Sequence, residues 1–252
     1  MDRIYDAHTH WLGPEDLETR KNQKVFSLVC AKTSAQYDSL TGCLHSHPAL
    51  LPWVQVTAGL HPWHSLEEPV EKMLDLFPMV KVIGEIGMDS VWCRIDLHLQ
   101  RQVFIRQLER AAELNKPVIL HTKGQEAEIA SILRSCPNRY LVHWYSCDLW
   151  FEQYEKMDCW FSIGPDVLWN KTTQSLARQI RSDRLLIETD GMNAVEWADR
   201  KGGIHATGEA EAQPRETLLR SLSCCAAQRQ QDPEELAEQV QENLRAFLQS
   251  KD

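Results

Sequence analysis

The sequence has no apolar run long enough to cross a bilayer, and its start, Met1-Asp2-Arg3 leading straight into a β-rich stretch, lacks the pattern of a signal peptide. These absences argue against a membrane-spanning or exported chain, and the expectation is a cytoplasmic protein. Positive charge is also in short supply: 27 lysines and arginines face 36 acidic residues, a net charge of −9. This argues against a surface coated in positive charge for non-specific binding to nucleic acid, while a small site that handles phosphates through metal ions stays open. The eight cysteines, at 30, 43, 93, 136, 147, 159, 224 and 225, form no C-x-x-C pair and no zinc-finger spacing. They read as reduced packing residues, and Cys224 and Cys225, adjacent in a helical stretch, point apart. There is no repeat, linker or low-complexity tract. With 43% hydrophobic and 25% charged residues, 252 residues read as one domain, 1–252.

What is present is a rhythm. Apolar β-rich runs occupy 3–7, 25–30, 53–58, 80–84, 117–121, 140–143, 159–163 and 184–189. Segments with helical periodicity separate most of them. The clearest helix is 96–115, where Leu97, Val103, Phe104, Leu108, Ala111 and Ala112 form a stripe ended by Lys116-Pro117. Helices are also expected over 65–77, 124–135, 148–157 and 171–181, with two more after Pro214 and after Asp232-Pro233. Residues 31–50, with His45, His47 and Pro48, read as more loop than helix. Eight strands alternating with helices describe an α/β protein of the (β/α)8 TIM-barrel type, with a doubly wound open sheet as the alternative.

The polar residues favour the barrel, because chemistry in that fold collects at the C-terminal strand ends. The first run ends in His8-Thr9-His10. Alternation along a strand puts both imidazoles on one side, about 7 Å apart along the chain, where one cation can take both. Later strand ends supply Glu85, His121, His143 and Asp190. Each has a plain structural reading: a pair capping a strand, a turn residue, satisfied core histidines, a helix cap. Together they form four imidazoles and two carboxylates, a set suited to two divalent cations that share a carboxylate. Unpaired polar groups are costly at the ends of apolar strands, which is hard to reconcile with six separate structural roles.

Asp6-Ala7-His8-Thr9-His10, Gly59-Leu60-His61-Pro62, Ile83 to Asp89, Gln100 to Phe104, Pro117 to His121, His143 to Ser146 and Leu186 to Asp190 run in an order that resembles the TatD family of metal-dependent deoxyribonucleases, within the amidohydrolase-like superfamily. The closing helices through Asn243 and Phe247 match as well. The resemblance implies that His8, His10, Glu85 and Asp190 hold one metal, and that Glu85 bridges to a second held by His121 and His143. It implies catalytic roles for Glu85 and Asp190, with Asp190 orienting the attacking water or accepting its proton, and it turns His61 toward the phosphate; the plain alternative is that His61 anchors its loop through Pro62. His64 reads as a surface residue. The family's habit points to Mg2+ or Mn2+, while four imidazoles leave Zn2+ open.

Trp11, Trp63, Trp92, Trp144 and Trp197 all follow strand ends, and a rim of indoles there would stack splayed bases or simply pack the loops. Lys123 and Arg94 are the nearest candidate phosphate partners. The sequence departs from the family in three places. Lys123 stands where an arginine is frequent, and Gly191-Met192-Asn193 replaces a Ser/Ala-Pro step. The segment 208–214 is acidic instead of basic, and a loop over 191–213 would lie across the mouth. These departures fit a narrower substrate, or a protein partner in a defence or repair assembly. The first expectation is a 3′-5′ exonuclease or repair-type nuclease acting on single-stranded DNA or duplex ends. The alternatives are a hydrolase of a small lactone or amide and a non-catalytic barrel subunit.

Overall fold

The computed structural model describes residues 2–204 and 213–249. Its strands are β1 (Ile4–His10), β2 (Val25–Ala31), β3 (Val54–Ala58), β4 (Val82–Gly87), β5 (Val118–His121), β6 (Tyr140–Val142), β7 (Trp160–Ile163) and β8 (Leu185–Ile187). They lie side by side, all parallel, in sequence order. An open doubly wound sheet reverses its order at a switch point, so this order decides for the (β/α)8 barrel. The seam between β8 and β1 closes at the mouth, where the Asp190 N–H donates to His8 O (3.1 Å) and the Thr189 N–H to Asp6 Oδ1 (2.9 Å).

Helices α1 (Pro14–Asn22), α2 (Ser34–Ser46), α3 (Val70–Leu76), α4 (Leu97–Glu113), α5 (Glu126–Leu133), α6 (Phe151–Lys156) and α7 (Lys171–Gln179) make the crossovers. After β8 come α8 (Met192–Lys201), α9 (Pro214–Arg229) and α10 (Pro233–Leu248). Strands covered on both faces are largely apolar, as in β4 and β5, every residue of which is buried and whose polar side chains are Glu85 and His121. Helices α9 and α10 pack on β1 and β8 and bury Leu218, Leu222, Leu236, Val240 and Phe247. Each such side chain contributes about 1.5–3 kcal/mol. Among the described residues no helix is long and apolar enough to cross a membrane.

Three expectations need correction. Residues 31–50 are mostly helical, because the Thr33 hydroxyl caps α2 by accepting from the Gln36 N–H (3.3 Å) and Leu40 and Leu44 bury its inner face. The stripe of α4 is shifted: Leu97 and Ala112 stay exposed, while Gln100 and Gln107 are buried with their amides bonded to the backbone of Asp89 and Leu60. The stretch 191–213 starts as helix α8, which buries Val195 and Ala198; the acidic residues 208–212 lie outside the described residues.

Candidate metal centre

Alternation along β1 does turn His8 and His10 to the same side, with ring centroids 4.9 Å apart. The His8 Nε2 lies 3.3 Å from Glu85 Oε2 and 3.4 Å from Asp190 Oδ1. The His10 Nε2 lies 3.6 and 3.1 Å from the same two oxygens. Donors bound to one cation at about 2.1 Å are themselves roughly 3.0–3.4 Å apart; three of these four separations fall in that range, and the fourth, His10 to Glu85, is 3.6 Å. Three of the atoms, His8 Nε2, Glu85 Oε2 and Asp190 Oδ1, are buried without a hydrogen-bond partner. A divalent cation satisfies all three at once, and the residues therefore fit the metal the donor set implies.

Glu85 reaches this position because glycines flank it closely. Gly84 has φ +135°, and a Cβ there would meet Ile119 O at 2.7 Å; a Cβ on Gly87 would meet His121 O at 1.9 Å. Only hydrogen side chains let β4 approach β5 so tightly.

The other carboxylate oxygen, Glu85 Oε1, faces a second group. The His121 Nδ1 is 2.5 Å away and the His143 Nε2 2.6 Å, and these nitrogens are 3.3 Å from each other. The far nitrogen of each ring meets a carboxylate: His121 Nε2 with Asp89 Oδ2 (3.0 Å) and His143 Nδ1 with Glu188 Oε1 (3.2 Å). A ring that donates N–H to a carboxylate behind it turns its lone pair forward, the usual support of a metal-ligating imidazole. The Ser162 hydroxyl in turn donates to Glu188 Oε2 (2.5 Å).

His61 comes within 3.5 Å of Glu85 Oε1 through Nε2, and its ring is 4.8 Å from that of His121. Its Nδ1 accepts the Trp63 N–H (3.2 Å), so the neutral ring carries its proton on Nε2 and faces the site as a donor.

Burial lowers the pKa of every imidazole here, and the carboxylates decide the outcome. Asp190 and Glu85 hold His8 well above its usual value, Asp190 raises His10, Glu85 and Asp89 raise His121, and Glu85 and Glu188 push His143 up to about 9. At His61 burial wins and lowers it to about 3. Burial raises Glu85 and Asp190, but the surrounding histidines keep both well below the carboxylate range. Protons and cations thus compete for the same atoms. Three sets of donors lie within 4.8 Å of one another: His8, His10 and Glu85; His8, His143 and Asp190; and His61, Glu85 and His121.

Other expected site residues are placed unevenly. Trp63 stands beside the centre, its ring 5.2 Å from His61 and its Nε1 donating to Asp89 Oδ2 (2.6 Å). The Lys123 ammonium donates to Trp144 O (3.0 Å) and Ser146 Oγ (3.2 Å). Trp144 is 6% exposed, its indole covering Gly164 and donating to Asp166 Oδ1 (2.8 Å). Trp11 packs on the Leu17, Val29 and Leu40 cluster and does not join the other indoles, while Arg94 is exposed in the loop after β4. His64 is partly exposed and pairs with Glu67 (2.6 Å).

In the sequence Asp6, Asp89 and Glu188 have a place in the motifs but no role, and Arg20, which forms a buried pair with Asp6, is not singled out. The period of two was the available signal for Glu188, two residues before Asp190. Arg20 lies inside α1, and nothing local marks it as buried. Its guanidinium donates to Asp6 Oδ2 (2.7 Å), Ser27 Oγ (3.0 Å), Thr9 Oγ1 (2.9 Å), Thr189 Oγ1 (3.3 Å) and Asp16 Oδ2 (2.8 Å).

A parallel eight-stranded barrel whose mouth gathers imidazoles and acids around one carboxylate defines a metal-dependent hydrolase. The family model described as TatD related DNase matches residues 5–249. An uncharacterized metal-dependent hydrolase from Haemophilus influenzae is 28% identical over 217 residues, 79% of this chain and 85% of its own length. The 3′-5′ ssDNA/RNA exonuclease TatD of Pantoea vagans is 27% identical over 218 residues, 76% of each chain. Among solved structures, YJJV, a TatD homologue from Escherichia coli, matches 98% of both chains with a TM-score of 0.82 at 19% identity, a likeness of fold. The chain belongs to the TatD-related DNase family.

Proposed function

We propose that the protein is a divalent-metal-dependent phosphodiester hydrolase acting on DNA, a 3′-5′ exonuclease or repair-type nuclease. The observation that carries this reading is the partnerless set His8 Nε2, Glu85 Oε2 and Asp190 Oδ1 at the barrel mouth. Family membership and the nuclease named among its relatives support the substrate class.

In this reading His8, His10, Glu85 and Asp190 hold one cation, and Glu85, His121 and His143 hold a second. Mg2+ or Mn2+ suits the carboxylates, and Zn2+ is the alternative that the imidazoles favour. Such cations supply Lewis acidity to a phosphoryl oxygen and to the attacking water. Asp190 orients that water and takes its proton. The His61 Nε2–H donates to a phosphoryl oxygen, a role suited to a ring that stays neutral at pH 7. Trp63 borders the substrate's path, whereas Lys123 and Trp144 shape the wall and reach substrate only by giving up their present partners.

The test is an end-labelled single strand incubated with the purified protein in Mn2+ or in EDTA, beside Asp190→Ala. Metal-dependent shortening from the 3′ end that disappears in the variant is the expected result. Intact DNA together with turnover of lactones or amides overturns the reading in favour of a small-carbonyl hydrolase. Bound metal without any turnover assigns the barrel a binding role, the setting in which a partner from a defence or repair assembly belongs.

A further inference from the structure

Three of the exposed large apolar side chains are indoles, and they adjoin one another. Trp63, Trp92 and Trp197 are 42%, 51% and 40% exposed. They come from the loop after β3, the loop after β4 and helix α8. The Trp63 and Trp92 ring centroids are 6.4 Å apart, and Trp92 and Trp197 are 5.5 Å apart, each pair edge to face. The arc begins at the candidate metal centre, since the Trp63 ring is also 6.4 Å from that of His121.

One carboxylate holds arc and centre in register. Asp89 Oδ2 accepts from both Trp63 Nε1 (2.6 Å) and His121 Nε2 (3.0 Å). Asp89 Oδ1 accepts the backbone N–H groups of Val91 (2.7 Å) and Trp92 (2.9 Å). A change in its position therefore moves the ligand and two indoles together. Water-exposed indoles fixed in this way are preorganised contact area, and the partner that matches them is a flat aromatic group. Among the described residues the Lys123 ammonium is engaged by Trp144 and Ser146, Arg94 is the exposed cation of the Trp92 loop, and the whole chain carries −9.

We propose that Trp63, Trp92 and Trp197 form a shelf on which the unpaired 3′-terminal base of an oligonucleotide stacks, and that this stacking, in place of a basic groove, supplies the affinity for substrate. The inference rests on the nuclease reading above and adds to it how the substrate is held. Stacking of one base on an aromatic platform corresponds to about 5- to 150-fold in affinity. Because few phosphates are neutralised, the salt dependence is shallow, with a slope of log affinity against log salt near or below about 1 in magnitude.

The test compares the Mn2+-loaded enzyme on a four-nucleotide oligothymidylate and on the same oligonucleotide with an abasic tetrahydrofuran at its 3′ end. The base-bearing substrate is expected to have a KM lower by about 5- to 150-fold. Trp92→Ala and Trp197→Ala raise its KM toward the abasic value with a much smaller fall in kcat, and Trp92→Phe restores most of the difference. Bound Mn2+ per protein, measured on each variant, separates loss of the shelf from damage to the centre. Equal KM for the two substrates, unchanged KM in both alanine variants, or a loss confined to kcat overturns the shelf while the nuclease reading stands. A wild-type enzyme that leaves every oligonucleotide intact overturns the nuclease reading, and the shelf with it.

Discussion

Replacing Arg20 with methionine perturbs the closure of the barrel without touching a candidate metal ligand. Methionine keeps much of the aliphatic volume but removes five hydrogen bonds, to Asp6, Ser27, Thr9, Thr189 and Asp16. Arg20 is 1% exposed and Asp6 0%, so the carboxylate is left in a place that water does not reach. Burial holds the Asp6 carboxyl above its ordinary range even with Arg20 opposing it. Breaking one side of such a buried pair costs about 3–5 kcal/mol. For a chain of this size that corresponds to a fall in Tm of roughly 6–20 °C. The Arg101–Glu128 pair is an internal control, because its 2.8 Å contact differs little in length but both side chains are about half exposed. Removing that pair costs at most about 1 kcal/mol. Urea unfolding of the apo protein in EDTA reads both, with Asp6→Asn added to complete a double-mutant cycle. The double variant is expected to be more stable than the sum of the single losses implies. An Arg20→Met penalty no larger than that of Arg101→Met, or additive single losses, would refute the claim that burial, not contact length, sets the value of this pair.

Glu188→Gln removes the charge behind His143, and cation affinity, read by chelator competition on the apo protein, is expected to fall by about 10- to 100-fold; an unchanged affinity would show that Glu188 does not support the ligand. Gly87→Ala drives a Cβ to 1.9 Å from His121 O, and a loss of about 3 kcal/mol or more in urea unfolding is expected. A near-neutral result there would mean that β4 can withdraw from β5. At the surface, partial burial raises the Asp158 carboxyl, but Arg184 and Arg181 outweigh it and leave the pKa lowered. Its contribution is therefore complete above the unfolded value near pH 4 and is lost as pH falls through the lower folded value. Asp158→Asn keeps the left-handed backbone (φ 60°), so it should cost less than about 1 kcal/mol at pH 7 and progressively less below pH 4. A cost that grows on acidification contradicts that sign.

The strands were legible because each is a short apolar run whose period and punctuation are local. The eight expected runs overlap the eight observed strands, with edges that moved by up to three residues. The four imidazoles and two carboxylates were legible for the same reason: each ends a run, and the fold sends all run ends of one polarity to one mouth. Helix α2 is obscured in the sequence because His45, His47 and Pro48 mask a start signal that depends on the Thr33 hydroxyl, and α8 because Gly191 offers no side-chain cap and only Val195 and Ala198 form its buried face.

Tertiary structure alone decided the partners. Asp6 meets Thr189 across 183 residues, Trp63 meets Asp89 across 26, and Leu60 is held by Gln107 across 47. It also separated the tryptophans, joining Trp63, Trp92 and Trp197 in an arc while sending Trp11 to a different cluster. The sequence determined which side chains stand at each strand end, since the alternation of a strand is a property of its own backbone. Which of them touch was decided by ring closure, because a contact between strand ends exists only once eight separately formed strands share one barrel.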